Sequence, residues 1–293
     1  DEVNHAAGTI SKASSRGYNL IQGNNLTVTQ VHPKTEVVRE SHNVGEAMEN
    51  LRRLAEERLG KTDLDSGLDY GTIAISKYRK SDGTNSWLVT IPGTDGKHDS
   101  PFGWPQNVEL MSSDSKQRME ADSARMVQEA MKQAGIKSNE PVALIGHSQG
   151  GIVAATIASD LKDDYDIEHV VTAGSPVANH PIPEKTWVTS MEMDDELVAA
   201  LDGAANPSSD HWLTVRGTAS KSSSNQESTF AGTPVTDAPD NKEITHWLKY
   251  HQAAYQNATD MGSTAVNTHE RHFDEIIDGD LQEVMYFEGR MSK

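Results

Sequence analysis

The segment 141–151 constrains the fold of this chain more than any other part of the sequence. The apolar run 142–145 ends abruptly at the sequence Gly-His-Ser-Gln-Gly of residues 146–150, and small and aliphatic residues follow as far as Ala158. This order is typical of a buried strand that turns sharply into a buried helix, because only glycine fits where such a turn brings backbone against backbone. The bare pattern is a weak signal, and the strand and helix around it strengthen it. We therefore predict that Ser148 is presented at the bend as a nucleophile.

Composition excludes several classes of function. The 293 residues suffice for one large α/β domain or two small ones. With 26 basic and 44 acidic residues the formal net charge is −18, which argues against nucleic acid and anionic membranes as partners. The apolar runs are far too short to span a membrane, so we expect no stable membrane insertion. The absence of cysteine excludes disulfides, thiolate metal sites and cysteine nucleophiles.

The cellular compartment does not follow from this composition. The chain starts at Asp1 without an initiator methionine or a signal sequence, and we interpret it as a processed or trimmed form whose targeting segment is out of view. A secreted bacterial protein is favoured over a cytoplasmic one.

Hydrophobic periodicity predicts an α/β fold, a mainly parallel central sheet flanked by helices. Strands are predicted at 26–31, 36–39, 72–78, 87–91, 142–146, 169–173, 186–191 and 212–215, and helices at 46–59, 115–134, 149–161, 243–260 and 264–278. Residues 72–91 form a hairpin, and the two last helices close the chain. We expect residues 1–60 to form a strand and helix extension packed on a catalytic domain of residues 61–293, the two making one structural unit.

A serine nucleophile needs a histidine as base, an acid that orients the histidine, and donors for the oxyanion. In a sheet of this type the chain order is serine, acid, histidine. The oxyanion donors are predicted in the loop 92–96, which leaves a strand end, and at the start of the helix: the backbone N–H groups of Thr94 and Gln149.

The acid and the base are less sharply defined. The segment 192–198 offers several carboxylates, of which Asp195 and Glu196 are the main candidates and Asp194 is a third. His246 is the predicted base, because it lies where a loop becomes a helix, and His251, one turn further, is the alternative.

A further histidine pair does not call for a metal. His269 and His272 share one helix face, but their sequence His-Glu-Arg-His is one residue short of the zinc-protease spacing. We interpret this pair as part of a solvated face.

With these parts in place, the chain resembles the α/β-hydrolase-fold serine esterases and lipases. The segment 91–95 is similar to the oxyanion loop of class 3 lipases, and the segment 172–176 resembles their Gly-Ser-Pro segment. Residues 185–203, with the following Asn-Pro, resemble lipase-like hydrolases of actinobacterial type. Such enzymes have Asp-x-Val-Pro where this chain has Glu-Leu-Val-Ala at 196–199, so either Glu196 replaces the aspartate or Asp195 acts instead.

The resemblance covers about residues 70–260 and implies hydrolysis of a carboxylic ester through an acyl-serine, with no metal and no organic cofactor. A small-molecule or dispersed lipid ester is the expected substrate, and Phe102 and Trp104 are the aromatic side chains expected to face it, with surface packing as the alternative. Thioesterase, peptidase and acyltransferase chemistry on the same fold, or a binding protein without catalysis, are the alternative functions.

Overall fold

The computed structural model describes residues 23–103, 110, 115–193, 206–217, 219–221, 227–230, 233–236 and 248–293. The main sheet comprises β1 (Asn25–Val31), β2 (Thr72–Arg79), β3 (Asn85–Ile91), β4 (Pro141–His147), β5 (Asp166–Ala173), β6 (Trp187–Met193), β7 (Trp212–Gly217) and β11 (Asp280–Ser292). A small antiparallel sheet comprises β8 (Ala219–Lys221), β9 (Glu227–Phe230) and β10 (Thr233–Thr236). The helices are α1 (Val44–Glu57), α2 (Ser115–Glu120), α3 (Asp122–Ala134), α4 (Gln149–Asp160), α5 (Leu248–Asp260) and α6 (Thr264–Ile276).

The main sheet has the strand order β1-β11-β2-β3-β4-β5-β6-β7. The neighbours from β3 to β7 are parallel, whereas β1, β11, β2 and β3 pair antiparallel. This arrangement confirms the predicted α/β class with a mainly parallel sheet. The carboxyl ends of five parallel strands therefore lie along one edge of the sheet, where such folds place their ligands.

Helices cover both faces of the sheet because the central strands are apolar on both sides. Val89 and Leu144 pack in one core cluster with residues of α3 and α4. Their neighbours Leu88 and Ala143 point the other way, into a cluster with residues of α1, α5 and α6. The alternation along each strand thus divides the interior into two layers.

The amino-terminal part differs from the prediction at residues 36–39, which form no strand. Val37 and Val38 are buried, and the Val38 N–H donates to the Tyr286 hydroxyl at 2.9 Å. The apolar pair therefore packs on the sheet without joining it, and the partner of β1 is β11 instead.

Two further predictions are corrected. The chain closes with the thirteen-residue strand β11 rather than with a helix, and β11 lies between β1 and β2. The single helix predicted at 115–134 is two helices, because Ala121 adopts an extended backbone with ψ of 132°. The other strands of the main sheet and the other helices that the structure describes lie within a few residues of their predicted positions, whereas β8, β9 and β10 are not among the predicted strands.

The boundary proposed at residue 60 stays a prediction. In the structure β1 is an edge strand of the main sheet, and α1 packs in the same core layer as α6. Among the described residues, no helix combines the length and the apolar character needed to cross a bilayer.

Candidate active site

Ser148 lies at the turn between β4 and α4, at the carboxyl edge of the sheet. Its backbone has φ of 55° and ψ of −121°, a conformation that residues other than glycine rarely adopt. The predicted strand, sharp turn and buried helix are confirmed, since every residue of α4 except Asp160 is buried. The surrounding structure therefore holds the serine in a strained position, as it does in a nucleophile turn.

Close backbone approach explains the glycines on either side of the serine. A Cβ atom on Gly146 would overlap the backbone of Gly150, and one on Gly150 would overlap the carbonyl oxygens of Ile91 and Pro92. Gly150 is thus the point where α4 crosses the end of β3.

The neighbouring strand also holds the turn. The Ser148 N–H donates to the Ala173 carbonyl at 2.8 Å, and the Ser175 hydroxyl donates to the Ser148 carbonyl at 2.8 Å. The Gly-Ser-Pro segment that follows β5 therefore has a structural task here, because its serine satisfies the backbone of the strained residue.

The predicted oxyanion loop lies against the serine. A Cβ atom added to Gly93 would come within 3.1 Å of the Ser148 Cβ and 2.9 Å of the His147 carbonyl oxygen. Thr94 follows directly and is half-buried. Gln149 is the first residue of α4, so its N–H is one of those that a helix leaves without an internal partner. Its buried side chain donates to the Gly103 carbonyl at 2.8 Å and closes the loop onto the helix.

Of the two aromatic residues expected to face substrate, Trp104 lies outside the described residues. Phe102 is 1% exposed and packs in the core layer of α3 and α4. Substrate contact by Phe102 stays a prediction, and its burial argues for the alternative, a packing role.

The candidate acids and the preferred base, Asp194, Asp195, Glu196 and His246, lie outside the described residues. The described chain stops before the acids at Met193, the last residue of β6, resumes at residue 206 with gaps up to residue 236, and continues after His246 at α5.

The alternative base is described. His251 is fully buried in α5, and its ring meets that of His147 edge-on with centroids 5.9 Å apart. A histidine of α5 thus contacts the residue that precedes Ser148.

Sequence reasoning missed two residues at the predicted oxyanion loop, Arg58 and Asp95. They form an ion pair at 3.2 Å with side chains 3% and 0% exposed. One signal was present: Arg58 follows Leu51 and Leu54 by seven and four residues, so it continues the apolar face of α1. A charge on such a face indicates a buried partner.

A second cluster of polar residues, separate from the Arg58–Asp95 ion pair, lies at the amino-terminal end of β6. The Trp187 indole stacks on the His272 ring with centroids 4.2 Å apart and on the His211 ring at 4.6 Å. His269 meets the indole edge-on at 4.9 Å, and His169 of β5 contacts both histidines of α6. We call these five residues the histidine cluster. The interpretation of His269 and His272 as a solvated face is therefore wrong, because this helix face packs on the sheet and His269 is buried.

Hydrogen bonds tie the histidine cluster together. His169 Nδ1 lies 2.9 Å from His272 Nδ1, and His169 Nε2 lies 2.9 Å from the Thr189 hydroxyl, which in turn lies 3.2 Å from His269 Nδ1. His269 Nε2 contacts the Asp210 carbonyl at 3.0 Å. The pair of facing Nδ1 atoms needs one donor and one acceptor, so two doubly protonated rings cannot form it.

Burial favours the neutral form of three of these rings, those of His169, His269 and His272. Burial, together with the charges of the neighbouring histidines, lowers the pKa of His272 to about 4 and the pKa of His169 well below its usual value. The pKa of His269 is also lowered, first by burial. Within the described part of the chain, no group of three or more histidine and carboxylate side chains is arranged to hold a metal ion.

Comparison with known proteins gives one family match. The model of the PGAP1-like alpha/beta domain matches residues 107–229, which is less than half of the chain and includes the turn at Ser148. No curated protein and no solved structure shows significant similarity. The match supports a protein of the α/β-hydrolase-like superfamily, in agreement with the mainly parallel sheet and flanking helices.

Proposed function

We propose that this protein is a serine hydrolase that cleaves carboxylic esters through an acyl-serine intermediate. The observation that carries the proposal is Ser148 itself, held at φ of 55° between β4 and α4 with the Gly93 backbone against it. A strained turn of this kind persists only when the surrounding structure supports it, and such strain clusters at functional sites.

The chemistry proceeds in two steps. Ser148 Oγ attacks the ester carbonyl carbon while its proton passes to the histidine, which then gives the proton to the departing alcohol. Water, deprotonated by the same histidine, next attacks the acyl-serine and releases the carboxylic acid and free serine. His246 is the base in this proposal, His251 is the alternative, and Asp195 or Glu196 orients the ring.

The oxyanion of both steps is bound by the N–H groups of Thr94 and Gln149 in this proposal. Gln149 supports this role, since the first N–H groups of a helix favour developing negative charge. Thr94 supports it because it follows Gly93, whose backbone touches the serine. The proposal needs no metal and no cofactor.

Labelling with a fluorophosphonate probe tests the nucleophile. We expect the native protein to take one label, and Ser148→Ala to take none. Ser159→Ala is the matched control, since Ser159 is a buried serine of the helix α4 that follows Ser148, and its hydroxyl donates to the Ala155 carbonyl. Failure of the native protein to react, or reaction of Ser148→Ala, would overturn the proposal.

A substrate panel then tests the bond that is cleaved. We expect hydrolysis of soluble and dispersed carboxylic esters, including acyl chains of several lengths, in preference to peptide amides. Cleavage of amides or thioesters without cleavage of esters would replace the ester hydrolase by a peptidase or a thioesterase that uses the same serine.

A further inference from the structure

The oxyanion loop is organised by one buried carboxylate. Asp95 Oδ2 accepts from the Ser100 hydroxyl at 2.7 Å, the Gly71 N–H at 2.9 Å and Arg58 Nη1 at 3.2 Å. Its Oδ1 accepts from the Lys97 N–H at 3.0 Å. The carboxylate thus joins the loop to itself, to the start of β2 and to the end of α1.

Arg58 reaches the loop at a second point. Its Nη2 donates to the Gly93 carbonyl at 2.8 Å, while Nη1 donates to Asp95. One guanidinium therefore binds the residues on both sides of Thr94. A planar guanidinium is suited to such a two-point contact, since its donors are held in a fixed fork.

The contact with Gly93 has a direct consequence for Thr94. The Gly93 carbonyl and the Thr94 N–H belong to the same peptide group, which is planar and trans, so they point in opposite directions. A hydrogen bond that fixes the carbonyl on the Arg58 side also fixes the N–H on the side away from Arg58. A charged donor on the carbonyl also polarises the amide, which strengthens its N–H as a donor.

Stability alone does not account for the arginine. Burial lowers the pKa of the Arg58 guanidinium to about 10 against the opposing effect of the Asp95 carboxylate, so the group stays charged at neutral pH. Its buried Nε has no hydrogen-bond partner within the described residues. Buried ion pairs are often no more stabilising than apolar side chains of the same size, so a charge with an unpaired donor indicates a further task.

We propose that Arg58 is a positioning residue for the oxyanion site, holding the Gly93–Thr94 peptide so that the Thr94 N–H faces the reacting carbonyl oxygen. This inference rests on the proposed function, because it assigns a task to the same serine site. Arg58 donates to the Gly93 carbonyl and to Asp95, and it acts through the peptide that it binds rather than on the reacting atoms.

The test measures the rate of fluorophosphonate labelling in Arg58→Met and Arg58→Lys. The phosphonyl oxygen uses the oxyanion donors whichever acyl substrate the protein prefers. Loss of one such donor costs about 10²-fold or more, so we expect a displaced donor to slow Arg58→Met by about 30-fold. Arg58→Lys should be intermediate, because one ammonium keeps the charge but lacks the fixed fork that binds Gly93 and Asp95 together.

Arg53→Met is the matched control. Arg53 lies on α1, five residues before Arg58, and also donates to backbone carbonyls, but to those of Val37 and Glu36 rather than to a carbonyl of the oxyanion loop. We expect its labelling rate to equal that of the native protein. The final extent of labelling measures the fraction of folded sites, so a variant that merely loses folded protein labels less but not more slowly.

The outcomes separate this inference from the proposed function. Labelling rates of both Arg58 variants within about threefold of the native rate would overturn the positioning role and leave the nucleophile intact. If Arg58→Met does not fold, the labelling rate of Arg58→Lys alone tests the positioning role, and a rate within about threefold of the native rate overturns it. Labelling without ester hydrolysis in the native protein would contradict the ester substrate only, and a native protein that takes no label would overturn both.

Discussion

The two ends of the parallel strands carry different kinds of polar groups: a strained serine and a buried ion pair at one end, and a cluster of histidines at the other. At the carboxyl edge Ser148 has a strained backbone, and a buried ion pair lies behind the neighbouring loop. At the amino-terminal end of β6, burial lowers the pKa of His169, His269 and His272 of the histidine cluster, and hydrogen bonds connect these rings. Under the proposed function the first edge carries the chemistry, and we predict that the second edge governs the acid sensitivity of the fold.

The largest expected effect lies at the carboxyl edge. We predict that His246→Ala lowers ester hydrolysis by about three or more orders of magnitude, as loss of a triad member does, without changing the dependence of the melting temperature on pH. Steady-state kinetics and thermal unfolding over a pH series measure both. His251→Gln, which keeps most of the volume of the buried ring, should have the smaller effect, and the reverse order would assign the base to His251.

An effect of intermediate size is expected at the histidine cluster, on the pH dependence of the melting temperature. A histidine whose folded pKa lies below its unfolded value of about 6.5 stabilises the fold above that pH, because the unfolded chain binds more protons below it. We therefore predict that the melting temperature falls as the pH drops from about 6.5 towards 4, the folded pKa of His272. His272→Phe keeps a ring against Trp187 but cannot be protonated, so the fall should be smaller.

His42→Gln is the control for this measurement. Glu46 raises the pKa of the exposed His42, first through their hydrogen bond, so its contribution is present at low pH and is lost as the pH rises. The His42→Gln variant should therefore show a fall in melting temperature at low pH that is at least as large as that of the native protein. An unchanged pH dependence in His272→Phe, measured by scanning calorimetry, would show that the cluster does not govern acid stability.

The smallest expected effect isolates the backbone strain at Ser148. Ser148→Gly relieves the positive φ whereas Ser148→Ala keeps a Cβ atom, so we predict that the glycine variant is more stable than the alanine variant by about 1 kcal/mol. Both lose the hydroxyl and should be equally inactive. The free energy of unfolding in urea measures the difference, and a glycine variant no more stable than alanine would contradict the strain.

The sequence predicts best what is local. The turn at Ser148 can be predicted because strand, glycines, serine and helix are contiguous in the sequence, and the structure describes each of them as expected. The strand β11 is missed because its charged residues Glu283, Glu288 and Arg290 hide the alternation, and its partners β1 and β2 lie some two hundred residues away. A sequence pattern describes one chain segment at a time, whereas β11 forms a strand because it pairs with β1 and β2 across the sheet.

Partners distant in sequence also explain the errors at single residues. The spacing of His269 and His272 defines a helix face but not what covers it, which is Trp187 and His169 from two strands. The role of Arg58 depends on Gly93, thirty-five residues further along the chain. Residue type and spacing therefore do not reveal which distant residues a side chain contacts, whereas the folded structure does.

If the proposed function is correct, Ser148 becomes acylated during each turnover. The most direct measurement mixes the protein with an activated acetyl ester, quenches it in acid during the first turnovers, and locates the added acetyl group by mass spectrometry of the intact chain and its peptides. We predict one acetyl group on the peptide that contains Ser148, and none on Ser148→Ala. Acetylation of another residue in the native protein, or hydrolysis by Ser148→Ala at the native rate, would contradict the account.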